Sequence, residues 1–213
     1  MTAAAPGRLA PGGSLPAGEV GQDAVMPTHV ALLRGINVGG NNKVAMADLR
    51  DTVAGLGHTG VSTYIQSGNV LFTAGDGAAQ DAATLAAGLR RAIEQSCGLR
   101  PHVVVLSRTE LAQVISDNPY RDEPNPRYVH AMFFPAEPGQ PVRESVAAAE
   151  QQAAAKGGHD SATVVGRTLF LHTPGGYGRS ELAARLARAR GPAADGTARN
   201  WATVTKLLAL CDA

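Results

Sequence analysis

Apolar positions recur along this chain in two periods, one near two residues and one near three and a half. HVALLRGINV, His29 to Val38, is an almost continuous apolar run that ends in a Gly and Asn cluster, the pattern of a buried strand. Met46, Leu49, Val53 and Leu56 then fall on one helical stripe, with Asp48 and Asp51 in its N-terminal half and Gly57 as a stop. VSTYIQSGNVLFT reads as a hairpin in which Gly68, third residue of the Gln66-Ser67-Gly68-Asn69 turn, permits positive φ. Leu85, Leu89 and Ile93 mark a second helix closing near Gly98, and HVVVLS, His102 to Ser107, is a further strand after Pro101. The order βαββαβ predicts a split βαβ plait, four antiparallel strands with two helices on one face.

The remainder repeats the theme after a connecting helix, TELAQVIS, and the loop DNPYRDEPNP. YVHAMFF is a strand, VRESVAAAEQQAAA a helix, and SATVVGRTLFLHT a hairpin turning near Gly166. SELAARLARAR, Ser180 to Arg190, is a helix with Ser180 as N-cap and Gly191-Pro192 as terminator. A short strand near Thr197 leads into a last helix with Trp201, Val204, Leu208 and Cys211 on one stripe. The expectation is an α+β protein of two ferredoxin-like lobes, residues 26–107 and 108–213, with an extra C-terminal helix.

Composition sharpens this in three ways. Residues 1–25 are rich in Pro, Gly and Ala and lack bulky apolar groups, so they are expected to be a disordered tail, with Met26 as the natural start. Prolines and glycines interrupt every apolar run there, which argues against a secretory signal. A net charge of +1 gives no whole-molecule attraction to nucleic acid or an acidic membrane, and runs such as KLLALC are far short of a membrane span. Cys97 and Cys211 sit in unrelated contexts, which fits buried thiols in a reducing cytoplasm.

The densest candidate chemistry is RGINVGGNNK, Arg34 to Lys43. Gly35 and Gly40 match the spacing of a phosphate loop, but Asn41 and Asn42 occupy the Lys and Ser/Thr positions and Lys43 comes two residues late, so nucleotide hydrolysis is disfavoured. Glycines at 35, 39 and 40 also miss the dinucleotide spacing. Two readings stand: an anion held by glycine-freed amides with Arg34 and Lys43, or a strand-to-helix connection needing positive φ at Gly39 or Gly40. A second loop, TPGGYGRSE, offers Arg179 ahead of a helix, or a Tyr177 that packs over the loop. Residues 165 to 206 carry seven cations, Arg167, Arg179, Arg185, Arg188, Arg190, Arg199 and Lys206, against Glu181 and Asp195, a local surplus that could follow a nucleic-acid backbone or face solvent. Aromatic content of 4% disfavours RNA binding by base stacking. The six histidines show no metal-ligand spacing, and no Ser-His-Asp set assembles around Ser67.

VALLRGINVGGNNKVAMADLR, TYIQSGNVLF, LFLHTPGGYGRSEL and TARNWATVTKL closely resemble the bacterial domain-of-unknown-function 1697 family, from about Met26 to the C-terminus. The resemblance implies two ferredoxin-like lobes and no particular activity. Its motif residues correspond to Arg34, Gly35, Asn37, Gly39 and Gly40; to Gln66, Ser67, Gly68 and Asn69; to Gly178, Arg179 and Ser180; and to Thr197, Arg199, Asn200 and Trp201. One departure is Glu181, where the family commonly has Lys.

The leading expectation is a cytoplasmic protein that binds an anionic small molecule or nucleotide between its lobes. Arg34, Gly35, Asn37, Gly39, Gly40, Lys43, Gln66, Ser67, Asn69, Arg179, Ser180, Arg199 and Asn200 are the candidate residues. The alternatives are an enzyme of unknown reaction, which would need a buried acid or base in that cleft; a nucleic-acid-associated protein using the basic C-terminal half; and a structural role in which Arg199, Asn200 and Trp201 cap helices and lock the lobes.

Overall fold

The computed structural model describes Met1 and residues 26–37, 42–75 and 81–213, excluding the side chains of Pro192 and Ala193. The expected tail and the expected positive φ at Gly39 or Gly40 lie outside the described residues. The elements run β1 (His29–Arg34), α1 (Met46–Ala54), β2 (Thr59–Tyr64), β3 (Asn69–Thr73), α2 (Ala82–Cys97), β4 (His102–Ser107) and α3 (Arg108–Ser116). They continue with β5 (Val129–Phe133), α4 (Gln140–Ala154), β6 (Ser161–Val165), β7 (Thr168–His172), α5 (Glu181–Ala187), β8 (Thr197–Asn200) and α6 (Trp201–Cys211).

Two antiparallel sheets result, ordered β2-β3-β1-β4 and β6-β7-β5-β8, the same ferredoxin-like order in each lobe. In the central strand β1, Ala31 and Leu33 point to a core with α1 and α2, whereas Val30 and Leu32 point to the opposite face. That opposite face is not left to solvent. Val30, Leu32, Leu71, Val104 and Leu106 of the first sheet share one core with Ala131, Phe133 and Phe170 of the second. Leu111 of α3 and Val204, Leu207 and Cys211 of α6 complete it. α4 and α5 cover the outer face of the second sheet through Val142, Val146, Leu182 and Leu186, packed on Met132, Leu169 and Leu171. The connecting and terminal helices therefore serve to join the two plaits.

Local signals start and stop these elements. Asp81 caps α2 by accepting from the Thr84 amide, and Gly98 ends it in the left-handed conformation. Ser107 and Glu110 form a reciprocal capping box on α3. Three boundaries differ from expectation. β1 stops at Arg34 because Gly35 (φ +90) and Asn37 (φ +52) turn the chain away. α1 ends at Ala54, leaving Leu56 42% exposed. α5 ends at Ala187 instead of Arg190, and the buried stripe of α6 uses Leu207 more fully than Leu208.

Candidate functional site

Arg199 organises the junction of the lobes. It lies on β8 opposite Ala131, so its side chain leaves the sheet on the shared-core face. Its Nε donates to Asn69 Oδ1 at 2.6 Å, and Nη1 donates to Thr197 Oγ1 at 3.0 Å and Ala198 O at 2.8 Å. Nη2 donates to Leu33 O at 2.7 Å, Ser67 O at 3.1 Å and Gly68 O at 3.2 Å. Burial draws its pKa down to about 10, so the guanidinium remains charged at neutral pH. No carboxylate is among these partners; carbonyl, amide and hydroxyl oxygens alone hold the charge.

The first-lobe motifs close around the same turn. Asn69, fully buried, donates from Nδ2 to Tyr64 O and Ser67 Oγ. Asn37 Nδ2 donates to Gln66 O and Val44 O while its Oδ1 accepts from the Val44 amide. The carbonyls of Tyr64, Gln66, Ser67 and Gly68 are thus all held by motif side chains. This bonding maintains Ile65 at φ +50, a left-handed conformation costly for a β-branched residue. Gly68 is required twice over: its φ is +80, and a Cβ there would lie 2.8 Å from Leu33 Cβ. Arg199, Asn69 and Asn37 therefore face protein acceptors.

Other candidates are placed differently. Asn200 caps α6, its Oδ1 accepting from the Thr203 amide at 2.8 Å, and Trp201 packs on Phe170 with ring centroids 6.1 Å apart. Arg34 continues the shared-core face of β1 and pairs across the sheet with His102 of β4. Lys43 is exposed, and Asn42 Nδ2 braces Gly35 O. Gly39 and Gly40 lie outside the described residues.

Arg179 and Ser180 are on the far side of the second sheet, lining a cavity of about 490 Å³ between the Gly157-Gly158 and Gly175-Gly176 turns. Ser180 caps α5 through the Ala183 amide and donates to Asp160, while exposed Arg179 folds back on Gly175 O. Lys156 holds Glu181 below the usual carboxylate range, with help from Arg185. Tyr177 stacks on His130 at 4.0 Å. His130 Nδ1 is buried with no hydrogen-bond partner among the described residues, and burial pushes the imidazole pKa down to about 4.

The arginine-rich stretch is also largely committed. Arg167 bridges the lobes, donating to Val105 O and Glu110, and Arg185 bonds Gln152 and Glu181. With Arg199 buried and Arg179 folded back on Gly175 O, four of the seven cations are engaged within the protein.

A groove of about 780 Å³ opens instead along the β4 edge, and both lobes build it. α2 and the start of β4 supply Arg90, Arg91, Glu94, Arg100 and His102, and the second lobe supplies Pro135 and Asp195. Arg100 pairs with Glu94 at 2.5 Å, and His102 Nδ1 stands 4.0 Å from Asp195 Oδ1, across the lobe boundary. Arg90 and Arg91 are exposed, and the side chain of neither has a hydrogen bond or ion pair among the described residues. The adjacent pair was visible in the sequence, on the helix flank beside the buried Leu85-Leu89-Ile93 stripe. What faces it was not. Among the described residues no group of His, Cys, Asp and Glu is arranged to hold a metal ion, and no helix is long and apolar enough to cross a membrane.

Fold and junction together define a two-lobed α+β protein in which paired ferredoxin-like plaits share a core. A family model described as protein of unknown function (DUF1697) matches residues 26–170, and the chain belongs to that family. Among solved structures it is similar to the conserved bacterial protein SP0830 from Streptococcus pneumoniae. The TM-score is 0.66 at 24% identity, covering 87% of this chain and 99% of the other. This likeness is one of fold. No curated protein matches the chain.

Proposed function

We propose that this protein binds an anionic small molecule in the groove between its lobes, in a cytoplasmic setting that fits its two unbridged cysteines. The observation that carries the reading is the unmatched Arg90-Arg91 pair on the wall of a cavity that both lobes build. Guanidiniums present planar N–H forks suited to phosphate or carboxylate oxygens. Arg199 acts indirectly: by tying β8 to the first-lobe hairpin it sets the spacing of the two walls. Binding of a nucleic acid along the C-terminal half is less well supported, because Arg167, Arg185 and Arg199 are engaged internally.

Thermal shift of the full chain with phosphate, pyrophosphate and nucleotides tests the reading, since a ligand that binds only the folded state adds about 2.7 kcal/mol at a hundred times its Kd. Stabilisation should grow with anion concentration, weaken with added salt and disappear in the Arg90→Glu/Arg91→Glu double variant. A double variant that responds as strongly as the wild type would sink the proposal.

A further inference from the structure

We propose that His58 is an acid-sensitive latch: neutral, it fastens the end of β3 to the turn between α1 and β2, and protonated, it lets Gly75 go. β3 reaches its last backbone partner at Thr73, opposite Thr59. The next two amides turn to side chains, Ala74 donating to Thr28 Oγ1 at 3.4 Å and Gly75 donating to His58 Nδ1 at 3.3 Å. His58 is only 8% exposed, and its ring lies against buried Phe72 with centroids 4.8 Å apart. A Cβ on Gly75 would stand 2.3 Å from Gly57 O, so the two segments meet where only glycine fits.

An imidazole nitrogen accepts a hydrogen bond only while it carries no proton, so the Gly75 contact requires neutral His58 protonated at Nε2. A proton taken from solvent at Nδ1 turns that acceptor into a donor pointing at another donor. The backbone amide cannot reverse its role, and the bond opens. His29 stacks on the same Phe72 ring with centroids 5.6 Å apart, but its Nδ1 meets Thr28 Oγ1 at 2.8 Å, and a hydroxyl can accept as well as donate. Protonation therefore breaks the His58 contact and spares the His29 one. Burial lowers the His58 pKa and the His29 charge lowers it further; burial also lowers His29, against an upward pull from Glu110 of α3. Neither ring makes an ion pair among the described residues, so no carboxylate pairs with a charge at His58. The latch is thus closed at neutral pH and opens as pH falls below the ordinary imidazole range. Asn69 to Phe72 stay paired with β1, which confines the opening to the point where β3 leads on toward α2.

Nuclear magnetic resonance of the full chain tests the latch through the Gly75 amide. Its protection from hydrogen exchange, corrected for the intrinsic rate at each pH, should fall about tenfold or more between about pH 7.5 and about pH 5, in step with titration of the His58 ring. The Leu71 amide, inside the ladder, should keep its protection. His58→Asn offers an Oδ1 that accepts but does not titrate, so Gly75 should stay protected throughout. His58→Phe keeps a ring on Phe72 without an acceptor, so Gly75 should be unprotected at both pH values. Unchanged Gly75 protection while the wild-type His58 ring titrates overturns the proposal, and that readout needs no variant. A His58→Asn protein that still loses protection at low pH, or a His29→Asn protein that no longer does, assigns the switch elsewhere and overturns it too.

Discussion

Arg199 of the second lobe places its Nε 2.6 Å from Asn69 Oδ1 of the first, joining residues 130 positions apart in a buried bond. The same guanidinium reaches the Leu33 carbonyl, which belongs to the peptide that leads into Arg34. The two motif arginines differ in what holds them: Arg199 is spent on protein acceptors, and Arg34, the last residue of β1, follows the Leu33 peptide that Arg199 bonds and pairs across the sheet with His102.

Removing this tie should be costly. Arg199→Ala strands several buried acceptors at once, and the expected loss is about 3–5 kcal/mol, the range for breaking a buried charged network. Arg199→Lys should recover only part, because an ammonium lacks the planar fork that reaches Asn69, Leu33 and Thr197 together. Urea denaturation reads both. An Arg199→Ala loss below about 1 kcal/mol would contradict the role assigned to this residue.

Gly68 and Gly166 offer a matched comparison in two hairpins. Both have positive φ, but a Cβ at Gly68 meets Leu33 Cβ at 2.8 Å, whereas one at Gly166 meets nothing within 4 Å. Gly68→Ala should cost about 2–4 kcal/mol from backbone strain plus overpacking, and Gly166→Ala about 1 kcal/mol from strain alone. Equal shifts of the two denaturation midpoints would show that the close approach does not matter.

His130 predicts a pH dependence. Its folded pKa, about 4, lies below the unfolded value near 6.5, so in that window the unfolded state binds the proton more readily. Stability should therefore fall as pH drops from about 6.5 toward 4, by about 1–2 kcal/mol once screening of a partly exposed ring is allowed for. His29 and His58, also lowered by burial, contribute in the same direction. His130→Phe keeps the stack on Tyr177, so the difference between wild type and variant at pH 7 and pH 5 isolates the one ring. Parallel losses in both proteins would rule out this assignment.

Asp195 faces the basic wall of the groove from the second lobe. Asp195→Asn should raise anion affinity about two- to fivefold at low ionic strength, with the gain fading as salt screens the site. Titration with pyrophosphate at two salt concentrations measures this. An unchanged or reduced affinity at low salt would place the anion elsewhere.

Much of the architecture was legible from local pattern. β4 and the β6-β7 hairpin follow short apolar runs bounded by Pro101 and turning at Gly166, and α2 follows Leu85, Leu89 and Ile93 to Gly98. Boundaries shifted where a tertiary demand outweighed the local signal, as at Arg34, where Gly35 and Asn37 turn the chain under the hairpin despite the apolar residues that follow. For the site, the reading of Arg199 and Asn200 as lobe lock and helix cap was among the alternatives the sequence offered and agrees with the structure, but local pattern did not choose between it and ligand binding. A buried arginine holding carbonyls and an exposed arginine are the same letter, and burial alone separates Arg199 from Arg90.

The sequence by itself determined two βαββαβ plaits, their order, and the polar residues that had to be satisfied somewhere, because hydrophobic period, caps and turn glycines act over a few neighbours. Only the tertiary structure decided which faces of the plaits share a core, that Arg199 finds its acceptors in the other lobe, and that Arg90 and Arg91 line one groove with Asp195 and Pro135. Those outcomes depend on contacts between residues far apart in the chain, and no local period encodes them.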